Sequence, residues 1–426
     1  MVRQALLLLS PPGLAIVATL LLGTSITPAS SAQEMKKLSE LTEIGESWVA
    51  QNSSSVQGSA EGDRLLIEGM QLFEQGTAES LRQALPKLEA AGQQYRAAGN
   101  AAMEALTLAG MGRIYDLLGD KQTALDYYNQ SLPLFRQVGD KATEATTLNN
   151  IGGVYDDLGD KQTALDYYNQ SLPLSRQVGD KAGEARTLNN IGMVYDDLGD
   201  KQTALDYYNQ SLPLSRQVGD KAGEARTLYN MGMVYSKLGD KQTALDYFNQ
   251  SLPVFRQVGD ISVEAATLTS IGLVYSDLGD KQTALDYFNQ SLPVFRQVGD
   301  IRGEATTLTS IGLVYSDLGD KQTALDYYNQ SLPLSRQVGD IRGEATTLNN
   351  IGGVYDDLGD KQTALDYFNQ SLPVFRQVGD IRGEATILTS IGLVYSDLGD
   401  KQTALDYFNQ SLPVFRQVGD IRGEAT

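Results

Sequence analysis

A Gly-Asp pair stands at Gly119-Asp120 and returns every 20 residues, without a miss, to Gly419-Asp420. The residue before it alternates, Leu118 then Val138 then Leu158, so the true period is 40 residues built from two unlike halves. Repetition this strict limits the chain to an array: one local unit, copied in line, each copy resting on its neighbours.

Each half reads as a helix. Glycine after an apolar run supplies the left-handed residue that ends one helix, and the next Asp can accept from the free amides that open the following one. About 18 residues lie between successive pairs, a rod of roughly 27 Å. In the first half, Leu148, Ile151, Val154, Tyr155 and Leu158 fall on one face. In the second, Ala164, Leu165, Tyr168, Ser171 and Leu172 do the same. A single hairpin of this kind cannot bury its apolar face, and stacked copies bury it jointly. Pro133, and its equivalents through Pro413, fall inside the second helix. There they predict a kink, or as the other reading a break into two shorter helices.

The spacing of Leu148, Ile151-Gly152, Tyr155, Ala164, Tyr168 and Ser171 resembles the tetratricopeptide repeat. Leu148 replaces that family's tryptophan, and Arg176 stands where proline is frequent. The 40-residue period and Leu-Asn-Asn-Ile in the first helix look like the kinesin light chain type. The series also resembles bacterial arrays that precede a caspase-like CHAT protease domain. The resemblance implies an all-α solenoid, a right-handed superhelix of antiparallel helix pairs whose first helices line a concave groove. In such grooves asparagines often hold a partner's backbone.

The copies differ mainly at a few first-helix positions. Asn149-Asn150, Asn189-Asn190 and Asn349-Asn350 become Tyr229-Asn230 once and Thr-Ser in other copies. Asp156, Asp196 and Asp356 alternate with Ser276, Ser316 and Ser396, and Gly153 and Gly353 with Met193, Met233, Leu273, Leu313 and Leu393. By helical geometry these positions share one side, opposite the buried stripe. An asparagine carries both a donor and an acceptor, so it can satisfy a peptide amide and carbonyl together. The expectation is a groove of two flavours, Asn/Asp over 146–198 and 346–357 and Thr/Ser/Leu over 266–318. Its carboxylates would favour a basic protein or peptide. A solvated face drifting among polar residues is the plain alternative.

Composition removes most chemistry. The 426 residues contain no Cys and no His, so no Cys/His zinc site, Ser-His-Asp triad or Cys-His dyad is available. The net charge of −19 argues against a nucleic-acid partner. Asp156, Asp157 and Asp160 lack the spacing of a calcium loop, Gly159 to Thr163 lacks the features of a phosphate loop, and no cofactor is expected.

Residues 1–32 begin with Arg3, continue through short apolar runs within 5–22 and end at Ser30-Ser31-Ala32. They read as an export signal cleaved after Ala32, with a retained membrane anchor as the alternative. Residues 33–61 read as a linker with a short helix around Leu38–Val49, and 62–100 as an irregular first repeat. Eight regular copies occupy 101–419, and 420–426 open another. The whole is expected to be a non-enzymatic scaffold, secreted or periplasmic, that holds a protein or peptide. Two alternatives remain: the sensor arm of a CHAT-type protease, or an array that self-associates end to end through Leu405, Phe408 and Leu412.

Overall fold

A computed structural model of the chain describes residues 60–417. The expected signal, nearly all of the linker, and the opening turn at 420–426 lie outside the described residues. Among those described there are 18 helices and no strand, and the chain is an all-α repeat solenoid. Ala60–Glu74 pairs with Ala78–Ala97. Eight further pairs follow, from Ala101–Leu117 with Lys121–Val138 to Ile381–Asp397 with Lys401–Gln417. The pairs fall into two compact units, one ending at Asp260 and one beginning at Ile261.

The Gly-Asp pair acts at both helix ends. Every glycine of the series from Gly119 to Gly399 is left-handed, with φ between +64° and +89°. At Gly139 the amide donates to the Arg136 carbonyl at 3.3 Å, and the Asp140 amide donates to the Phe135 carbonyl at 3.0 Å. These are the two bonds of a Schellman ending. The Asp140 carboxylate then accepts from the Thr143 amide at 3.1 Å and from its hydroxyl at 2.7 Å. Asp140→Ala should therefore destabilise the array by about 1 kcal/mol in urea unfolding, and Asp140→Asn by much less, because Asn caps nearly as well.

The caps also make stability depend on acid. Hydrogen bonds from the Thr163, Thr203 and Thr403 hydroxyls and amides hold the Asp160, Asp200 and Asp400 carboxyls below their ordinary value. A carboxyl depressed in the folded state contributes stability above its unfolded pKa, which is about 4, and loses it as the pH falls through the folded value. Helical circular dichroism should hold from neutral pH down to about 4 and fall below it. An array equally helical at pH 2 and pH 7 would contradict the caps' role.

Leu148, Ile151 and Val154 are buried with Ala164, Leu165 and Tyr168. Gly152 lets the two helices close: a Cβ there would lie 2.7 Å from two ring carbons of Tyr168. Ser171 is buried, and its hydroxyl donates to the Ala145 carbonyl of the first helix at 2.7 Å, which suits a small polar residue at the crossing. Tyr155 of the first helix and Tyr167 of the second stack at 5.5 Å within the pair. Leu158 departs from the expected stripe. It is 53% exposed, because the helix ends at Asp157 and Leu158 lies in the turn beyond it.

No break occurs at the prolines. Lys161–Val178 runs as one helix through Pro173, and each second helix from Lys121 onward does likewise. Asn169 and Pro173 are both exposed. The proline and the residue whose carbonyl it cannot bond thus lie on the solvent side of the helix, where water can take the place of the lost bond.

Candidate functional site

The candidate groove residues all lie on first helices, yet they are not equivalent. Asn149 is only 6% exposed and Asn189 only 9%. The Asn149 carbonyl oxygen accepts from the Thr187 hydroxyl at 3.1 Å and from the Asn190 amide at 3.2 Å. Asn189 repeats the pattern one copy on, accepting from Thr227 at 3.3 Å and from Asn230 at 3.2 Å. The expected placement opposite the buried stripe is therefore corrected for these two, and for Asp196, which is likewise buried. A first helix packs on its own second helix and also on the first helix of the next copy, so its buried arc is wider than one face.

Asn190 and Asn230 are the donors of these bonds and are half-buried. Asn150 is half-buried too. Its amide nitrogen faces inward, where neither it nor the buried Tyr128 hydroxyl has a hydrogen-bond partner among the described residues. Burial pushes the Tyr128 phenol well above its ordinary range. Tyr229, half-buried, sets its ring 5.6 Å from that of Phe248.

The carboxylates are already paired. Asp156 meets Lys161 at 2.7 Å, Asp356 meets Lys361 at 2.6 Å, and Asp196 meets both Lys201 and Lys237 at 2.6 Å. Burial raises the Asp156 carboxyl despite its lysine. These groups hold successive copies and turns together, since Lys161 also reaches Asp197 of the next copy at 2.6 Å.

Asn349 and Asn350 differ from the other asparagine pairs. Both are half-buried, and their carboxamides meet each other, 3.5 Å from the Asn349 amide nitrogen to the Asn350 oxygen. They line an open pocket of about 280 Å³ together with Gly353, Asp356, Leu313 and Leu393. A Cβ on Gly353 would touch nothing within 4 Å, so the glycine leaves a notch. Its equivalents on either side, Leu313 and Leu393, are 43% and 52% exposed.

One groove position escaped the sequence reading. Thr146 is replaced by Arg186 and Arg226 in the next two copies. Arg186 is half-buried, and burial lowers its pKa, with Asp180 and Asp220 supporting its charge and Arg113 and Arg226 opposing it. Variation at that single position was the available signal.

The family model for the tetratricopeptide repeat matches residues 130–177, 143–217, 184–257, 263–337, 303–377 and 343–417. The chain belongs to the tetratricopeptide repeat family. Among curated proteins none matches it in sequence. Solved structures similar to it include a Rap protein complexed with competence and sporulation factor, at 15% identity and TM-score 0.60, covering 86% of this chain and 98% of that one. Another is the Rap conjugation gene regulator of the plasmid pLS20 in complex with the Phr* peptide. It shares 13% identity at TM-score 0.53, covering 87% of this chain and 97% of that one. A third is a signal transduction ATPase with a tetratricopeptide repeat sensor from Pyrococcus horikoshii, at 13% identity and TM-score 0.64, covering 98% of this chain and 65% of that one. At such identities the likeness is one of fold.

Among the described residues no group of three or more Asp, Glu, His or Cys side chains is placed to hold a metal ion. No helix among them is long and apolar enough to cross a membrane.

Proposed function

We propose that this tetratricopeptide repeat chain is a non-enzymatic scaffold that holds an extended segment of a partner protein along its first helices. The observation that carries this reading is the open pocket between Leu313 and Leu393, floored by Gly353 and edged by the amides of Asn349 and Asn350. A backbone amide group needs one donor and one acceptor, and a carboxamide offers both. The Rap regulator held with the Phr* peptide supports the reading by analogy of fold alone. The expected preference for a basic partner finds little support in Asp156, Asp196 and Asp356, since a lysine neutralises each.

The test is panning of a random peptide display library on the full chain. Peptides should be enriched, and a Gly153→Met, Gly353→Met double variant, with the Gly353 notch filled and the equivalent glycine of the first Asn-Asn copy replaced, should lose most of them. The scaffold already accepts methionine at the equivalent Met193 and Met233. No enrichment, or equal capture by the double variant, would sink the proposal. We further propose that residues 1–32 direct export. Mass spectrometry of mature protein should then find Gln33 at the N-terminus, and an intact Met1 or Val2 start would refute it.

A further inference from the structure

In two of the three copies that carry an Asn-Asn pair, the next copy ties up the first asparagine. Thr187 and Asn190 hold Asn149, and Thr227 and Asn230 hold Asn189. The threonine is general: Thr107, Thr147, Thr187, Thr227, Thr267, Thr307 and Thr347 occupy its position in successive copies. Where the acceptor position is itself a threonine the tie persists, with Thr269 and Thr307 at 3.2 Å and Thr309 and Thr347 at 3.1 Å.

The ladder is also broken where an asparagine, Asn349, stands ready as its acceptor. After Asn349 the threonine position holds Ile387, buried and with nothing to donate. The partner amide position holds Ser390, whose hydroxyl turns back to the Thr386 carbonyl at 3.1 Å. Both donors are thus missing, and the Asn349 carboxamide is left at the edge of the pocket. The same copy carries Gly353 where its neighbours carry Leu313 and Leu393, so the released amide sits beside a notch with aliphatic walls. The nearby carboxylates add little charge, since Asp356 pairs with Lys361 at 2.6 Å and Asp357 with Lys321 at 2.5 Å.

We infer that this joint is a specificity site for one uncharged aliphatic side chain of an extended peptide, leucine in kind, with the Asn349 carboxamide bonded to the peptide backbone beside it. The side chain enters the Gly353 notch between Leu313 and Leu393, and the loss of Thr at position 387 is what leaves the Asn349 carbonyl oxygen free to accept from the backbone. This deepens the peptide-scaffold reading and rests on it.

The test uses the full chain and fluorescein-labelled, end-blocked nonapeptides of Ser, Gly and Ala with a central Leu, Asp or Lys, read by fluorescence anisotropy. The Leu peptide should bind at least about tenfold more tightly than the Asp or Lys peptide, the difference expected from filling or failing to fill an apolar pocket. Two variants separate the parts. Ile387→Thr with Ser390→Asn restores both donors that tie up Asn149, and should weaken the Leu peptide about tenfold by engaging Asn349. Gly353→Met fills the notch and should weaken it at least as much. Both variants copy residues the array uses elsewhere, so circular dichroism should show the helices intact. Equal binding of all three peptides, or full binding by either variant, overturns the specificity site. If the displayed peptides still depend on filled or open notches in that case, the scaffold reading survives alone. If neither displayed nor synthetic peptides bind, both fall.

Discussion

Phe288→Ala is expected to lower the unfolding free energy of the unit that begins at Ile261 by about 3–5 kcal/mol, the range for removing a buried aromatic ring. The ring is fully buried. It packs with Leu285 and Leu292 of its own helix and with Leu308, Ile311 and Val314 of the next copy. Its loss therefore empties space at a joint as well as within a pair. Stability in an array of this kind is a sum of copies and nearest-neighbour joints, so damage at one joint need not spread evenly. Urea unfolding followed at 222 nm should show an early step for the unit from Ile261 onward, while signal from the copies before Asp260 is lost near its former midpoint. A single transition displaced by less than about 1 kcal/mol would mean the ring is not the keystone its burial implies.

Legibility in the sequence followed the range of the interaction. The left-handed glycines and capping Asp residues were readable because each acts within five residues of itself: Gly139 bonds to Arg136, and Asp140 to Thr143 and Phe135. The buried faces were readable from a 3.6-residue period, except where the period was carried past the helix end to Leu158. The groove was harder. Whether an asparagine is available depends on residues 38 and 41 positions later, as the Thr187 and Asn190 bonds to Asn149 show. A wheel drawn for one helix cannot register that. Comparison of the copies with each other does, since Ile387 is the one departure from threonine at its position among the eight regular copies. The pairing of Asp156, Asp196 and Asp356 with lysines five residues on was missed for a different reason: it is local but crosses a turn, where a wheel drawn for one helix ends.

Gly272→Ala should cost about 1–3 kcal/mol through overpacking alone. A Cβ there would meet two ring carbons of Phe288 at 2.6 and 2.8 Å, closer than any relaxed contact allows, and the ring has no free space to enter because it is fully buried. Gly279→Ala is the instructive contrast. Nothing lies within 4 Å of its Cβ, but φ is +85°, so the expense there is backbone strain of about 1–2 kcal/mol and involves no neighbour. The two mechanisms separate in a double-mutant cycle with Phe288→Leu. A smaller, flexible side chain at 288 gives the new methyl room, so Gly272→Ala should be partly rescued, with a coupling of at least about 0.5–1 kcal/mol. Gly279→Ala should add to Phe288→Leu with no coupling beyond about 0.3–0.5 kcal/mol, the scatter of independent sites. If Gly272→Ala proves additive as well, the glycine is tolerated there for its backbone and the close approach of ring to helix is not what holds the pair at its crossing distance.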